Sequence, residues 1–213
     1  MNANIKAANK AKIETVIKKL EKRNMKGYYC DTSREAVETI RNLIPEDAEV
    51  SWGGSVTLEE IGIKTALKEA VCRINDPMVI TDRAAAFDAR RAALTCDVFL
   101  SSANAVTMNG EIVNIDATGN RVAAILFGPK KVILVVGANK LVFDERDAID
   151  RIRNDACPAN CIKLGKQTPC ALTGKCGNCL SRGNTICGHL VTTRFSVIDD
   201  RIHVVLVNEW LGY

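Results

Sequence analysis

The stretch KVILVVG at residues 131–137 restricts the fold more than any other part of this chain. After its lysine it is apolar without alternation, so neither face of a strand there can look to water. A strand of that kind needs cover on both sides, which is the situation of a parallel sheet layered between helices. DVFLSS at 97–102, AEVSW at 48–52 and GYYC at 27–30 read the same way, as short apolar strands. Between them lie segments with helical periodicity and start signals. In DTSREAVETIRNLIP, Thr32 and Glu35 form a capping box and Pro45 ends the run; in TLEEIGIKTALKEAV, Thr57 and Glu60 are read as a second box. DRAAAFDARRAAL and residues 144–156 are further helices, and NRVAAILFGP is a short buried helix between Asn120 and the Gly128–Pro129 stop. The expected fold class is α/β, an open and largely parallel sheet with helices on both faces. EIVNID (111–116) is another strand, entered through an Asn109–Gly110 turn, and TRFSVIDDRIHVVLVNEW reads as a closing hairpin around Asp199–Asp200.

The 213 residues suffice for one ample domain, and no repeat or linker divides them. Aromatics make up 5% of the chain, so the core must be aliphatic. The net charge of +4 is too small to argue for nucleic acid. Eight Lys and Arg residues lie within 1–28, and they read as the solvated face of a first helix whose apolar stripe is Ile13, Val16, Ile17 and Leu20. No stretch is long and apolar enough to span a bilayer, and the first residues lack the apolar region of a secretory signal. The expected location is the cytoplasm, where thiols stay reduced, so nine cysteines need a role other than disulfides.

Two stretches suggest a binding site. In VSWGGSVTLEEIG a strand runs into Gly53–Gly54, and Ser55 and Thr57 open a helix, an arrangement suited to a carboxylate or phosphate. It equally suits a plain strand-to-helix turn. In SSANAVTMNGEIVNIDATGNR polar residues crowd beyond the end of a strand, the side of a parallel sheet where ligands collect. Arg121 is a candidate anion clamp; the alternative is an internal ion pair with Asp116 or Glu111.

Four of the cysteines, Cys170, Cys176, Cys179 and Cys187, fall within eighteen residues rich in glycine. Four thiolates at that density can hold a 4Fe–4S cluster or a tetrahedral zinc, and the presence of a single C-x-x-C knuckle favours iron–sulfur. Cys157 and Cys161 lie just upstream and could replace a ligand, bind a second metal or simply pack. His189 is a further possible ligand. Cys30, Cys72 and Cys96 read as small buried hydrophobes.

SWGGSVTLEEIG, the long central motif from DVFLSS through VVGANK, and TPCALTGKCGNC together resemble the LUD-domain family, over roughly residues 10–213. The resemblance implies a single domain over 1–213 with a cysteine-rich metal-binding segment at 157–190. It also implies a fold akin to ribose-5-phosphate isomerase, glucosamine-phosphate deaminase, CoA transferases and 5-formyltetrahydrofolate cyclo-ligase. Members are linked to L-lactate oxidation alongside iron–sulfur partner proteins. Carried onto this chain, the pocket comprises Gly53, Gly54, Ser55, Thr57, Asn104, Thr107, Asp116, Gly119, Asn120, Asn139 and Lys140, with Glu111 as acid/base and Arg121 as clamp. Cys157 and Cys161 stand outside the family pattern. The expected partners are a small anionic metabolite, iron–sulfur redox proteins and a second copy of the chain. Three functions stay open: an iron–sulfur oxidoreductase, a non-redox transferase or ligase with structural zinc, and a non-catalytic subunit of an iron–sulfur dehydrogenase.

Overall fold

A computed structural model of the chain describes residues 2–69 and 73–213. Its centre is a six-stranded, all-parallel sheet in the order β1-β10-β7-β4-β2-β3. The strands are β1 (Lys26–Cys30), β2 (Glu49–Trp52), β3 (Arg73–Asn75), β4 (Val98–Ser101), β7 (Lys131–Gly137) and β10 (Ile202–Val207). The uninterrupted run of β7 follows from this placement, because successive side chains point to opposite faces and both faces are dry. Ile133 and Val135 join Val50, Trp52, Leu100, Val205 and Val207 on one face, beneath the helices α2 (Ser33–Leu43), α3 (Val56–Glu60) and α4 (Ile63–Lys68). Val132, Leu134 and Val136 point the other way, against α1 (Ala3–Glu21) and α6 (Asn120–Leu126). Helix α1 buries Ile13, Val16 and Leu20 and leaves its lysines outside, as its sequence predicts.

A second sheet, β8-β5-β6-β9, closes over that face. It consists of β5 (Ala105–Thr107), β6 (Ile112–Asp116), β8 (Leu141–Val142) and β9 (His189–Thr193). Strands β5 and β6 are antiparallel across the Asn109–Gly110 turn, where Gly110 takes a φ of 83°. The expected single open sheet is therefore a parallel sheet plus a smaller, mainly antiparallel one. The expected closing hairpin does not form. β9 pairs antiparallel with β6, whereas β10 enters the middle of the parallel sheet between β1 and β7. All six residues of β10 are buried, as a central strand demands, while β9 is largely open to solvent. The connection between them is pinned elsewhere, with Asn24 donating to the Ser196 carbonyl and the Asp199 carboxylate.

The second capping box also differs from its prediction. Ser55, not Thr57, caps α3 by accepting from the Leu58 N–H at 3.3 Å. Gly62, at a φ of 75°, then breaks the predicted helix into α3 and α4. The end of that predicted helix, residues 70–71, and Cys72 lie outside the described residues. Helix α5 (Arg83–Ala92) is capped by Asp82, and α7 (Glu145–Arg151) by Asp144. The predicted helix at 144–156 runs on through a wide turn at 152–156 into α8 (Cys157–Lys163). Pro158 accounts for the wide turn, since it lacks an N–H and its ring crowds the carbonyl one turn back. The remaining cysteine-rich stretch holds one short helix, α9 (Pro169–Thr173).

His203 on β10 is 2% exposed, with Nε2 at 3.0 Å from the Asp200 carbonyl and Nδ1 at 2.9 Å from the Tyr28 hydroxyl. The carbonyl can only accept, so Nε2 carries the proton and Nδ1 accepts from the tyrosine. Burial holds this imidazole below its ordinary pKa of 6.5. Below pH 6.5 the unfolded chain takes up a proton that the native one refuses, so stability falls as pH is lowered until the folded pKa is passed. A proton NMR titration will find the His203 midpoint below 6.5. Urea melts from pH 7 to 5 will show a steeper loss for the wild type than for His203→Gln.

Candidate active-site cleft

Three strands of the parallel sheet end at one cleft of about 470 Å³. β2 delivers Gly53, Gly54, Ser55 and Thr57; β4 delivers Ser102 and Asn104; β7 leads through a tight turn to Lys140. The second sheet contributes Asp116 at the end of β6, and α6 contributes Asn120 and Arg121. Gly119, at a φ of 86°, makes the bend that brings Arg121 back over Asp116, and its N–H donates to the Asp116 carboxylate at 3.3 Å. From the opposite side α8 adds Cys157, Asn160 and Lys163, and Ile186 of the cysteine-rich stretch completes that wall. Lys163 reaches across to Glu59 at 3.2 Å, tying α8 to α3.

Arg121 is engaged mainly within the protein. Its Nε donates to Asp116 at 3.2 Å, Nη2 to Asn104 Oδ1 at 2.9 Å and the Ile115 carbonyl at 2.6 Å, and Nη1 to the Ser102 carbonyl at 3.3 Å. These bonds use four of its five N–H groups and leave one on Nη1 without a partner among the described residues. Of the two partners considered from the sequence, the ion pair forms with Asp116 and not with Glu111.

Lys140 is only 3% exposed, and its Nζ donates to the hydroxyls of Thr57 at 2.8 Å and Ser102 at 3.0 Å. Burial, followed by the nearby Arg151 and Arg121 charges, lowers its pKa to about 7, with Glu60 opposing. Arg151 lies behind it, donating to the carbonyls of Asn139 and Asn104 at 3.0 and 2.7 Å.

Thr107 and Glu111 are not among the residues lining the cleft. Glu111 sits at the β5–β6 turn, where one oxygen accepts from Arg23 Nη2 and the other from the Thr107 hydroxyl, each at 2.8 Å. Its carboxylate, the acid/base candidate from the sequence, ties the second sheet to the end of α1. Asn139 also has a structural task, accepting from the Leu211 N–H at 3.0 Å and donating to the Gly212 carbonyl at 3.2 Å. Gly119 shapes the cleft without lining it. Sequence reasoning passed over Arg151, Asn160 and Lys163. They lie on α7 and α8, on either side of the wide turn, and no local signal in the sequence sets them apart.

The thiols gather differently from their spacing. The Cys157 and Cys187 sulfurs are 3.3 Å apart, and those of Cys161 and Cys170 are 3.8 Å apart. The hydrogen bond from Cys157, helped by Arg153, lowers Cys187 to about 7, and the same bond with burial raises Cys157. Cys179 instead faces the Thr185 hydroxyl. Among the described residues no three His, Cys, Asp or Glu side chains are arranged to hold one metal ion. The donor chemistry suits a thiophilic metal, and the closest sulfur approaches join Cys187 and Cys170 of the expected four to Cys157 and Cys161. Cys30 and Cys96 are buried among apolar neighbours, as read from the sequence.

A parallel sheet with helices on both faces, and a polar cleft at its strand ends, defines an open α/β fold with the cleft where such sheets place their ligand sites. The chain belongs to the LUD domain family, which it matches over residues 13–207. Its fold is also similar to that of a DUF162 family protein from Deinococcus radiodurans, with a TM-score of 0.55 at 12% identity over 95% of this chain and 98% of that one. No curated protein matches the chain. No helix among the described residues is long and apolar enough to cross a membrane.

Proposed function

We propose that the cleft binds a small 2-hydroxy or 2-oxo acid, of which lactate and pyruvate are the simplest, and that the chain serves oxidoreductase-type metabolism of that acid. One observation carries the reading: Arg121 lines the cleft with one Nη1 N–H uncommitted among the described residues, and of the cleft's side-chain carboxylates Asp116 pairs with Arg121 while Glu59 is taken by Lys163. A charged donor with no free side-chain carboxylate beside it favours an anion. The remaining Nη1 N–H of Arg121 and the side-chain amide of Asn120 are the donors a carboxylate would meet. The thiols between Cys157 and Cys187 are proposed, on donor chemistry, to take up a 4Fe–4S cluster or, in its place, zinc, and iron–sulfur proteins are the matching redox partners.

Calorimetry with L-lactate, pyruvate and the neutral lactamide tests the binding. The acids are expected to bind at least about tenfold more tightly than the amide, the weight of one charge-assisted hydrogen bond. Equal affinity for acid and amide, or no binding of either acid, would sink the reading. Metal analysis and electron-resonance spectra of anaerobically isolated protein test the cluster independently.

A further inference from the structure

We propose that Lys140 captures carbonyl substrates covalently, its Nζ condensing with the C2 carbonyl of a small 2-oxo acid to form an imine. This rests on the reading that the cleft takes such acids.

The hydrogen-bond polarity around the nitrogen carries the argument. The Thr57 hydroxyl donates its proton onward to the Leu211 carbonyl at 3.4 Å, and the Ser102 hydroxyl donates to the Ala103 carbonyl at 3.2 Å. Each hydroxyl has a single proton, so towards Lys140 both can act only as acceptors. Two N–H bonds of Nζ are thereby committed. The remaining tetrahedral direction holds either a third proton or the lone pair. The charged groups facing the nitrogen decide between them. Arg151 from α7 and Arg121 from α6 press against a third proton, Glu60 from α3 favours it, and burial opposes it. The balance favours the neutral amine far more than at an exposed lysine. Two fixed acceptors thus hold Nζ in place in a residue that lines the cleft.

The step balances without a redox partner. The lone pair forms the C–N bond as the carbonyl π pair moves to oxygen. The nitrogen then loses one proton and the oxygen gains one, giving the carbinolamine; a second proton passes from nitrogen to that oxygen as the C–O bond breaks, releasing water and leaving the imine. Hydrolysis runs the same steps backwards. The Thr57 and Ser102 hydroxyls, already hydrogen-bonded to the nitrogen, hold it in place through the exchange.

The experiment is reductive trapping. The protein is incubated near pH 7 with pyruvate, reduced with sodium borohydride and mapped by peptide mass spectrometry, with calorimetric binding of pyruvate and L-lactate measured in parallel. One reduced adduct per chain is expected, on Lys140. Its labelling should exceed that of an ordinary surface lysine by on the order of a thousandfold, as the larger fraction of free amine requires. L-Lactate, which has no carbonyl, should bind and leave no adduct. Lys140→Arg, shown by its melt to be folded, should lose the adduct. If both acids bind and the label is absent or scattered over surface lysines, the imine is refuted and the binding reading stands. If neither acid binds, both fall together.

Discussion

Arg201→Met is expected to lower the unfolding free energy by about 3–5 kcal/mol, which for a chain of this size shifts Tm downward by roughly 10 °C or more. Arg201 is 4% exposed, and among the described residues no carboxylate lies within ion-pair distance of it. Its guanidinium instead binds three carbonyls: Ala124 and Ile125 at 3.0 and 2.7 Å, and Pro129 at 3.0 Å. The first two belong to the last turn of α6, whose carbonyls have no partner within the helix and carry the negative end of its dipole. A buried cation at that point satisfies both the lone pairs and the charge. Methionine keeps the volume, removes every donor and leaves three carbonyls dry and unpaired. Arg201→Lys should recover only part of the loss, because one ammonium cannot reach three diverging acceptors. Urea denaturation of the three proteins decides it; a change below about 1 kcal/mol for Arg201→Met would contradict this account.

Arg121→Leu is expected to cost a comparable amount, about 3–5 kcal/mol, because it leaves the Asp116 carboxylate almost buried with no counter-charge. The double variant Arg121→Leu with Asp116→Leu should be more stable than the single one, since the stranded charge is then gone. If the two changes add with the same sign, the Arg121–Asp116 pair is not what holds the β6–α6 bend. Acid binding should be lost in both proteins, separating the recognition role of Arg121 from its structural one.

Legibility of the fold in the sequence depended on how local its causes are. The strands β4 and β7 were plain because a strand buried on both faces writes its environment into every residue. Helix α6 was plain because Gly119 and Gly128–Pro129 mark both ends. The fate of β9 and β10 was hidden, since a turn at Asp199–Asp200 looks alike whether the next strand returns to its neighbour or crosses to another sheet. Here the left-handed Asp200, at a φ of 53°, turns the chain towards β1 and β7. Within the cleft, Gly53, Asn120 and Arg121 were found because glycine bends and helix starts are local features. The task of Glu111 was not, because its partner Arg23 lies 88 residues away. The cysteines fell in between: their density was visible, but the wide turn before Pro158 aims Cys157 at Cys187 in a way that spacing cannot express.

The position of β10 also sets the order of events in making the protein. β1 has one neighbour in the sheet, and that neighbour is β10. On the ribosome, residues 26–30 must therefore wait while most of the chain is synthesised, with Tyr28, Tyr29 and Cys30 lacking their strand partner throughout. β7 waits as well, paired to β4 along one edge and bare along the other. Closing such distant pairings costs loop entropy before it returns any contact, which favours slow folding. The nascent protein thus carries two unsatisfied strand edges until residues 202–207 emerge, and this is the interval in which a holding chaperone would have the most to protect.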